Sequence, residues 1–229
     1  LYLRRVRIDS DEFLGALSSM VRRGQIEKAI TTCEQTEKPL ANILKAGILN
    51  ADLINTVSPT YAREITTSAY GAGLERVLQK RKDDLCGILN GIDTDLFNPA
   101  KDKYIKVNYS VRTLQRKVEN KLALQKKLGL PPDREKPLVG MVARLFWQKG
   151  VDLITKSFSR LNCQFVFLGT GSPKYEEHLR ELVRINPKQF RAIIDFDIAL
   201  AQEIYAGADV FLMPSRFEPC GLGQMIAMR

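Results

Sequence analysis

Four short apolar runs near the end of the chain, at residues 138–142, 165–168, 192–195 and 210–213, alternate with helix-like stretches at 150–160, 174–184 and 198–206. A strand apolar on both sides must be covered on both sides. With a crossover's length of chain between successive strands, parallel pairing with helices on both faces is the natural solution. The alternation therefore predicts an α/β domain over residues 137–229, built on a Rossmann-like parallel half-sheet. Such sheets bind ligands outside the C-terminal ends of their strands. The residues just after each run are thus where chemistry is to be sought.

Upstream, residues 11–22, 25–34 and 40–49 read as three helices, and 53–57 as a short strand. Ser58 followed by Pro59 reads as a capped helix start. Residues 85–89 read as another strand, closed by an Asn90-Gly91 turn signal, 98–109 as linker and 111–128 as a long helix. Three parts follow: a helical segment over 1–46, a second part over 47–136, and the half-sheet over 137–229.

The chain of 229 residues is 45% hydrophobic and 27% charged, the composition of a folded rather than a disordered protein. No apolar run approaches the roughly 18 residues that span a bilayer, and no secretory signal is visible, so no membrane span and a cytoplasmic setting are expected. Cys33, Cys86, Cys163 and Cys220 are far apart with no Cys-x-x-Cys spacing. Reduced thiols and no metal site are the reading. The lone His178 lies in a polar stretch and reads as a surface residue. A net charge of +9 raises nucleic acid as a partner. The charge is dispersed, however, and its densest stretch, residues 117–127, carries Val118, Leu122 and Leu124, continued by Leu128. That pattern predicts an amphipathic helix with a solvated basic face, and no nucleic-acid partner is expected.

Three loops carry the chemistry. Arg144 and Lys149 follow the first strand, and their five-residue spacing lets two cations converge on one diphosphate. Gly169 and Gly171 end the second strand in a glycine turn. After the last strand comes Pro214-Ser215-Arg216-Phe217-Glu218-Pro219-Cys220-Gly221-Leu222, with a helix start behind it. There, backbone N–H groups and a positive helix end favour anions, and the Glu218 carboxylate suits a sugar hydroxyl. Taken singly, each has a plain reading: a solvent-facing basic loop, a tight turn, an exposed Glu. Phe196, following the third strand, reads equally as a core residue or as an aromatic face.

The segments LKAGILNADLINTVSPTYAREI (44–65), GILNGIDTDLFNP (87–99), VARLFWQKGVDLI (142–154), FLGTG (167–171) and YAGADVFLMPSRFEPCG (205–221), in this order, resemble bacterial glycogen synthases and plant starch synthases. These are retaining glycosyltransferases of the two-domain GT-B fold. The resemblance implies transfer of glucose from ADP-glucose to the 4-OH of an α-1,4-glucan, without cofactor or metal. It assigns Glu218, Arg144 and Lys149 as catalytic, with Glu218 on the transferred glucose and the two cations on the diphosphate. Gly169 and Gly171 would line the nucleotide site, and the base would stack near Phe196, where the family usually has Tyr. Backbone groups of Cys220, Gly221 and Leu222 would hold sugar hydroxyls or phosphate. Asn90, Gly91 and Asp93 would lie by the crossing between the two domains. Ile226 stands where many GT-B enzymes have a second Glu, in agreement with this branch. Gly223 departs from the usual Asn or Thr. The family's Lys-x-Gly-Gly and Thr-Gly-Gly loops are not found, so a fragment carrying part of the donor half, inactive by itself, is expected.

Residues 1–46 resemble instead the cytoplasmic helical segment of the MotA/TolQ/ExbB proton-channel family, through an Arg-rich start, Ile8-Asp9 leading to Glu12-Phe13, and Cys33-Glu34 before Pro39-Leu40-Ala41. The two resemblances overlap at Leu44-Lys45-Ala46-Gly47-Ile48, which suggests a fused or misassembled frame. An alternative function follows: a proton-channel-associated interaction module joined to a non-functional glycosyltransferase piece.

Overall fold

The computed structural model describes residues 47–229. The helices expected at 11–22 and 25–34, and all but the end of that at 40–49, lie outside the described residues. The described residues divide into two compact units, the first ending at Asn90 and the second running Gly91–Arg229. The segment 91–136, grouped by sequence with what precedes it, thus joins the second unit.

In the first unit, β1 (Ile54–Thr56) and β2 (Leu85–Gly87) pair in parallel, with Ile54 opposite Leu85. Helix α1 (Pro59–Glu64) begins where sequence places it: the Ser58 hydroxyl accepts the Tyr61 N–H at 3.0 Å, and Pro59 fills the first turn, where a missing N–H costs nothing. After α2 (Glu75–Lys80), the Arg81 guanidinium donates to the carbonyls of Ile48, Leu49 and Ala51 and pairs with Asp84. One side chain thus satisfies the end of the helical turn at residues 47–50.

The second unit holds a four-stranded parallel sheet, β3 (Leu138–Val142), β4 (Gln164–Leu168), β5 (Phe190–Ile193) and β6 (Val210–Phe211), in the order β5-β4-β3-β6. The alternation of the strand puts Phe165 and Phe167 on one face and Gln164, Val166 and Leu168 on the other. On the first face Phe165 stacks on Phe167 and Phe190, with ring centroids 6.2 and 5.1 Å away, beneath Tyr175, Leu179 and Leu182 of α4 (Pro173–Ile185). On the second, Leu138, Val166 and Leu168 meet Leu124 of α3 (Lys117–Lys127) and Leu200 and Ile204 of α5 (Ile198–Gly207). A Cβ at Gly140 would stand 2.6 Å from Ile204 Cγ2, so glycine is what lets α5 lie directly on β3. A final helix, α6 (Leu222–Met228), follows β6.

Four expectations are corrected. The stretch 150–160 is not an α-helix but a chain of 3-10 turns, Val151–Leu153 and Lys156–Arg160, following another at Trp147–Lys149. Gly150 breaks it with φ of +65°, and Thr155 is extended, its hydroxyl accepting from the Ser157 N–H. The basic face of α3 is only partly solvated. Lys121 is buried against Asp209, Nζ to Oδ2 2.7 Å, and Lys117 Nζ donates to the Tyr205 and Ala206 carbonyls at the end of α5. His178 is half-buried rather than a surface residue, its Nε2 lying 2.8 Å from the Ile154 carbonyl. Residues 111–116, expected within the long helix, form a separate 3-10 turn. No helix among the described residues is long and apolar enough to cross a membrane.

Candidate active site

From β3 the chain steps outward through β4 to β5, then returns to the opposite side of β3 as β6. The loops after β3 and β6 therefore flank the point where the winding reverses, where open α/β sheets form a ligand crevice. These two loops carry the charged pair. Lys149 ends the 3-10 turn after β3, and its ammonium donates to Glu218 Oε1 in the loop after β6. The same oxygen accepts from Ser215 Oγ at 2.8 Å. The side chains of Lys149 and Glu218 are 18% and 21% exposed, drier than a surface pair yet open to a ligand. Gly150 makes this meeting possible: its left-handed backbone turns the first loop into the second, and a Cβ there would stand 2.0 Å from the Pro214 carbonyl oxygen.

Arg144 lies elsewhere on the same edge. It is exposed, its guanidinium 6.0 Å from the Phe146 ring, and it stands on the wall of a mostly apolar cleft of about 380 Å³. Val142 and Ala143 from β3, Leu168, Gly169 and Thr170 from β4, Ile198, Ala201 and Tyr205 of α5 and Ile226 of α6 line that cleft. Phe196 stands at its rim, 82% exposed, with an open ring face; it is not a core residue. Burial pushes the Tyr205 phenol up to about 12, so it is a neutral wall at physiological pH. Gly171 is not part of the cleft lining. It bridges to Leu145, where a Cβ would meet the Leu145 oxygen at 2.3 Å, so its smallness holds the β4 turn against the β3 loop. Cys220 is a half-buried free thiol, Gly221 starts α6 in a left-handed conformation, and Leu222 opens the helix exposed.

The expected site residues thus fall into two neighbouring groups: Arg144, Gly169 and Phe196 on the cleft, and Lys149 with Glu218, leading into Cys220, Gly221 and Leu222, at the reversal point. Sequence reading missed Ser215 as a partner of Glu218. Its signal was a hydroxyl three residues before a carboxylate in a turn. It also missed Leu96 and Phe97, which complete the cleft wall from just before the stretch 98–109 read as linker.

Comparison with known proteins bears on this geometry. Residues 13–80 match the family described as starch synthase catalytic domain, and residues 136–229 match glycosyl transferases group 1. The first match begins inside the segment 1–46 that sequence set apart. Glycogen synthases of Thermosipho melanesiensis and Thermotoga petrophila are 54% and 55% identical over 191 residues, 82% of this chain and 40% and 39% of theirs. The catalytic domain of starch synthase IV from Arabidopsis thaliana, solved with ADP and acarbose, aligns with a TM-score of 0.75 at 43% identity, over 81% of this chain and 39% of that one. A glycosyltransferase from Rickettsia africae, 18% identical, shares the fold with a TM-score of 0.50 over 76% of this chain and 42% of its own. The chain spans about 40% of the length of the glycogen synthases it matches. Its architecture is a partial GT-B α/β fold.

Proposed function

We propose that this chain carries the donor-binding part of a retaining glucosyltransferase of the glycogen and starch synthase kind, taking glucose from ADP-glucose to the 4-OH of an α-1,4-glucan. One observation carries the reading: Lys149 and Glu218, from loops on opposite sides of the winding reversal, meet beside an apolar cleft. The ADP held by the Arabidopsis relative gives the ligand class.

Cleavage of the glucose C1–O bond leaves negative charge on the departing diphosphate. Lys149 and Arg144 offset that charge most where it is largest, in the transition state, which is what accelerates the step. As the Lys149 ammonium turns to phosphate, Glu218 is released to accept a hydrogen bond from a glucose hydroxyl. Ser215 keeps one contact on its Oε1 throughout. The adenine takes the apolar cleft, with Phe196 offering a ring face. Backbone groups of Cys220, Gly221 and Leu222 line the sugar side. The free thiols fit a reducing, cytoplasmic setting. The proton-channel alternative rests on residues 1–46, of which 13–46 fall within the starch synthase match, and no contact of the site favours it.

Calorimetric titration of ADP into the chain tests the reading. Lys149→Ala is expected to weaken binding about tenfold, the loss of one charge-assisted contact, and affinity is expected to fall with added salt. Phe196→Ala is expected to weaken it by a smaller factor. Unchanged affinity in Lys149→Ala would remove the phosphate role.

A further inference from the structure

The loops that carry Lys149 and Glu218 are joined a second time, by a contact separate from that pair. Arg216 reaches across with a two-pronged contact to Asp152: Nη1 to Oδ1 at 2.9 Å and Nη2 to Oδ2 at 2.7 Å. Nη1 also donates to the Trp147 carbonyl at 2.8 Å, and the guanidinium lies 4.7 Å from the centre of the Trp147 ring. The main chain adds the Arg216 N–H to the Gln148 carbonyl at 2.9 Å, and the Gln148 amide donates to the Phe217 carbonyl at 3.1 Å. The Arg216 hydrogen bonds hold the Asp152 carboxyl below the usual range, so it is charged at neutral pH.

Position in the chain gives this arrangement its meaning. Asp152 is three residues after Lys149, and Arg216 two before Glu218, so each half of the contact shares a short turn with one member of the charged pair. With side chains 27% and 38% exposed, Arg216 and Asp152 form a surface pair, a kind that adds little to stability. What a planar fork on a carboxylate does fix is angle and distance together. Groups that meet a diphosphate and a sugar need placement to a fraction of an ångström.

The geometry points to Arg216 and Asp152, closed over Trp147, as positioning residues that set the spacing between Lys149 and Glu218. This rests on the proposed function for what the spacing serves, but not for the clamp itself. Trp147 is the single tryptophan of the chain, so its emission reports clamp closure directly. Two variants open the clamp, Asp152→Asn and Arg216→Lys; should one fail to fold, the other carries the same readouts. Without ligand, the rate at which acetyl N-hydroxysuccinimide labels Lys149, read by mass spectrometry against exposed Lys188, is expected to rise at least threefold as Trp147 emission changes. With ADP, each variant is expected to bind about tenfold more weakly, and Lys149→Ala is expected to cost less affinity in either background than in the unaltered chain. Unchanged Lys149 labelling in a folded variant whose Trp147 emission has changed overturns the clamp, even if its melting temperature falls. If Lys149→Ala alone leaves ADP binding intact, the functional reading fails while the labelling still decides the clamp.

Discussion

The two faces of the second unit's sheet are made of different materials. On the α4 face, Phe165, Phe167 and Phe190 pack on Leu179 and Leu182 through carbon alone. On the α3 and α5 face, Leu124, Leu138 and Ile204 share the interior with Lys121, Gln125 and Gln164. There Asp209 Oδ2 meets both Lys121 Nζ at 2.7 Å and the Leu138 N–H at 2.8 Å. The Gln125 amide donates to Gln164 Oε1 at 2.7 Å, while its own oxygen accepts the Asp133 N–H at 3.0 Å. Gln164 in turn donates to the Pro131 carbonyl at 2.8 Å. The first face draws its strength from area removed from water, which many arrangements supply. The second is satisfied in one register of α3 only, because each buried polar group needs its own partner.

Substitutions separate the two. Phe165→Ala, which empties the centre of the aromatic stack, is expected to cost roughly 4 kcal/mol, by the same amount at any pH from 6 to 9 in chemical denaturation. Lys121→Ala is expected to cost roughly 3 kcal/mol, since it empties a buried site and takes the ion-pair partner from Asp209, and Lys121→Met, which restores the volume but not the charge, is expected to recover little of the loss. Recovery of the loss by Met would mean that Lys121 acts by bulk, and the contrast between the faces would weaken.

Titration sharpens the comparison further. Burial lowers Lys117 from 10.5 to about 8, with Asp209 opposing. Between those values the unfolded chain holds a proton that the folded chain has shed, so stability rises as pH climbs from about 8 toward 10.5, by roughly 3 kcal/mol at most. Tyr205 works in the opposite sense: burial raises it from 10.0 to about 12, and the stability it contributes below 10 is lost as pH rises toward 12. Unfolding measured from pH 7 to 11.5 is therefore expected to peak near pH 10, and Lys117→Met is expected to flatten the rising limb. A monotonic fall from pH 7 would exclude a buried, depressed Lys117. The smallest effect belongs to the α4 face: His178→Ala, removing its contact to the Ile154 carbonyl, is expected to cost about 1 kcal/mol.

Legibility follows the same division. Helix α4 was read as 174–184 and runs Pro173–Ile185, because Tyr175, Leu179 and Leu182 recur at the helical period and face one apolar surface. Helix α3 was read with a solvated basic face, because a pattern that scores lysine as polar cannot register that Asp209 waits opposite Lys121. The stretch 150–160 looked helical by its apolar spacing, but Gly150 and Thr155 direct the backbone otherwise while Val151 and Ile154 still reach the core. That Arg144, Lys149 and Glu218 share one sheet edge was legible, because each lies in a loop just after an apolar run and parallel strands align those loops. The contact between Arg216 and Asp152 was not, since 64 residues separate them and nothing local distinguishes either from an ordinary surface charge.

The order of apolar runs and helical spacings by itself determined that a parallel sheet forms and which loops share one of its edges, since burying those strands leaves the chain few other choices. Tertiary structure alone decided which charges meet. The return of β6 to the far side of β3 brings Glu218 to Lys149 and Arg216 to Asp152, and it places Asp209 over Lys121. Apolar burial is non-directional and can be read from composition along the chain. Pairing of charges is short-ranged and directional, and it exists only once distant segments have been brought together.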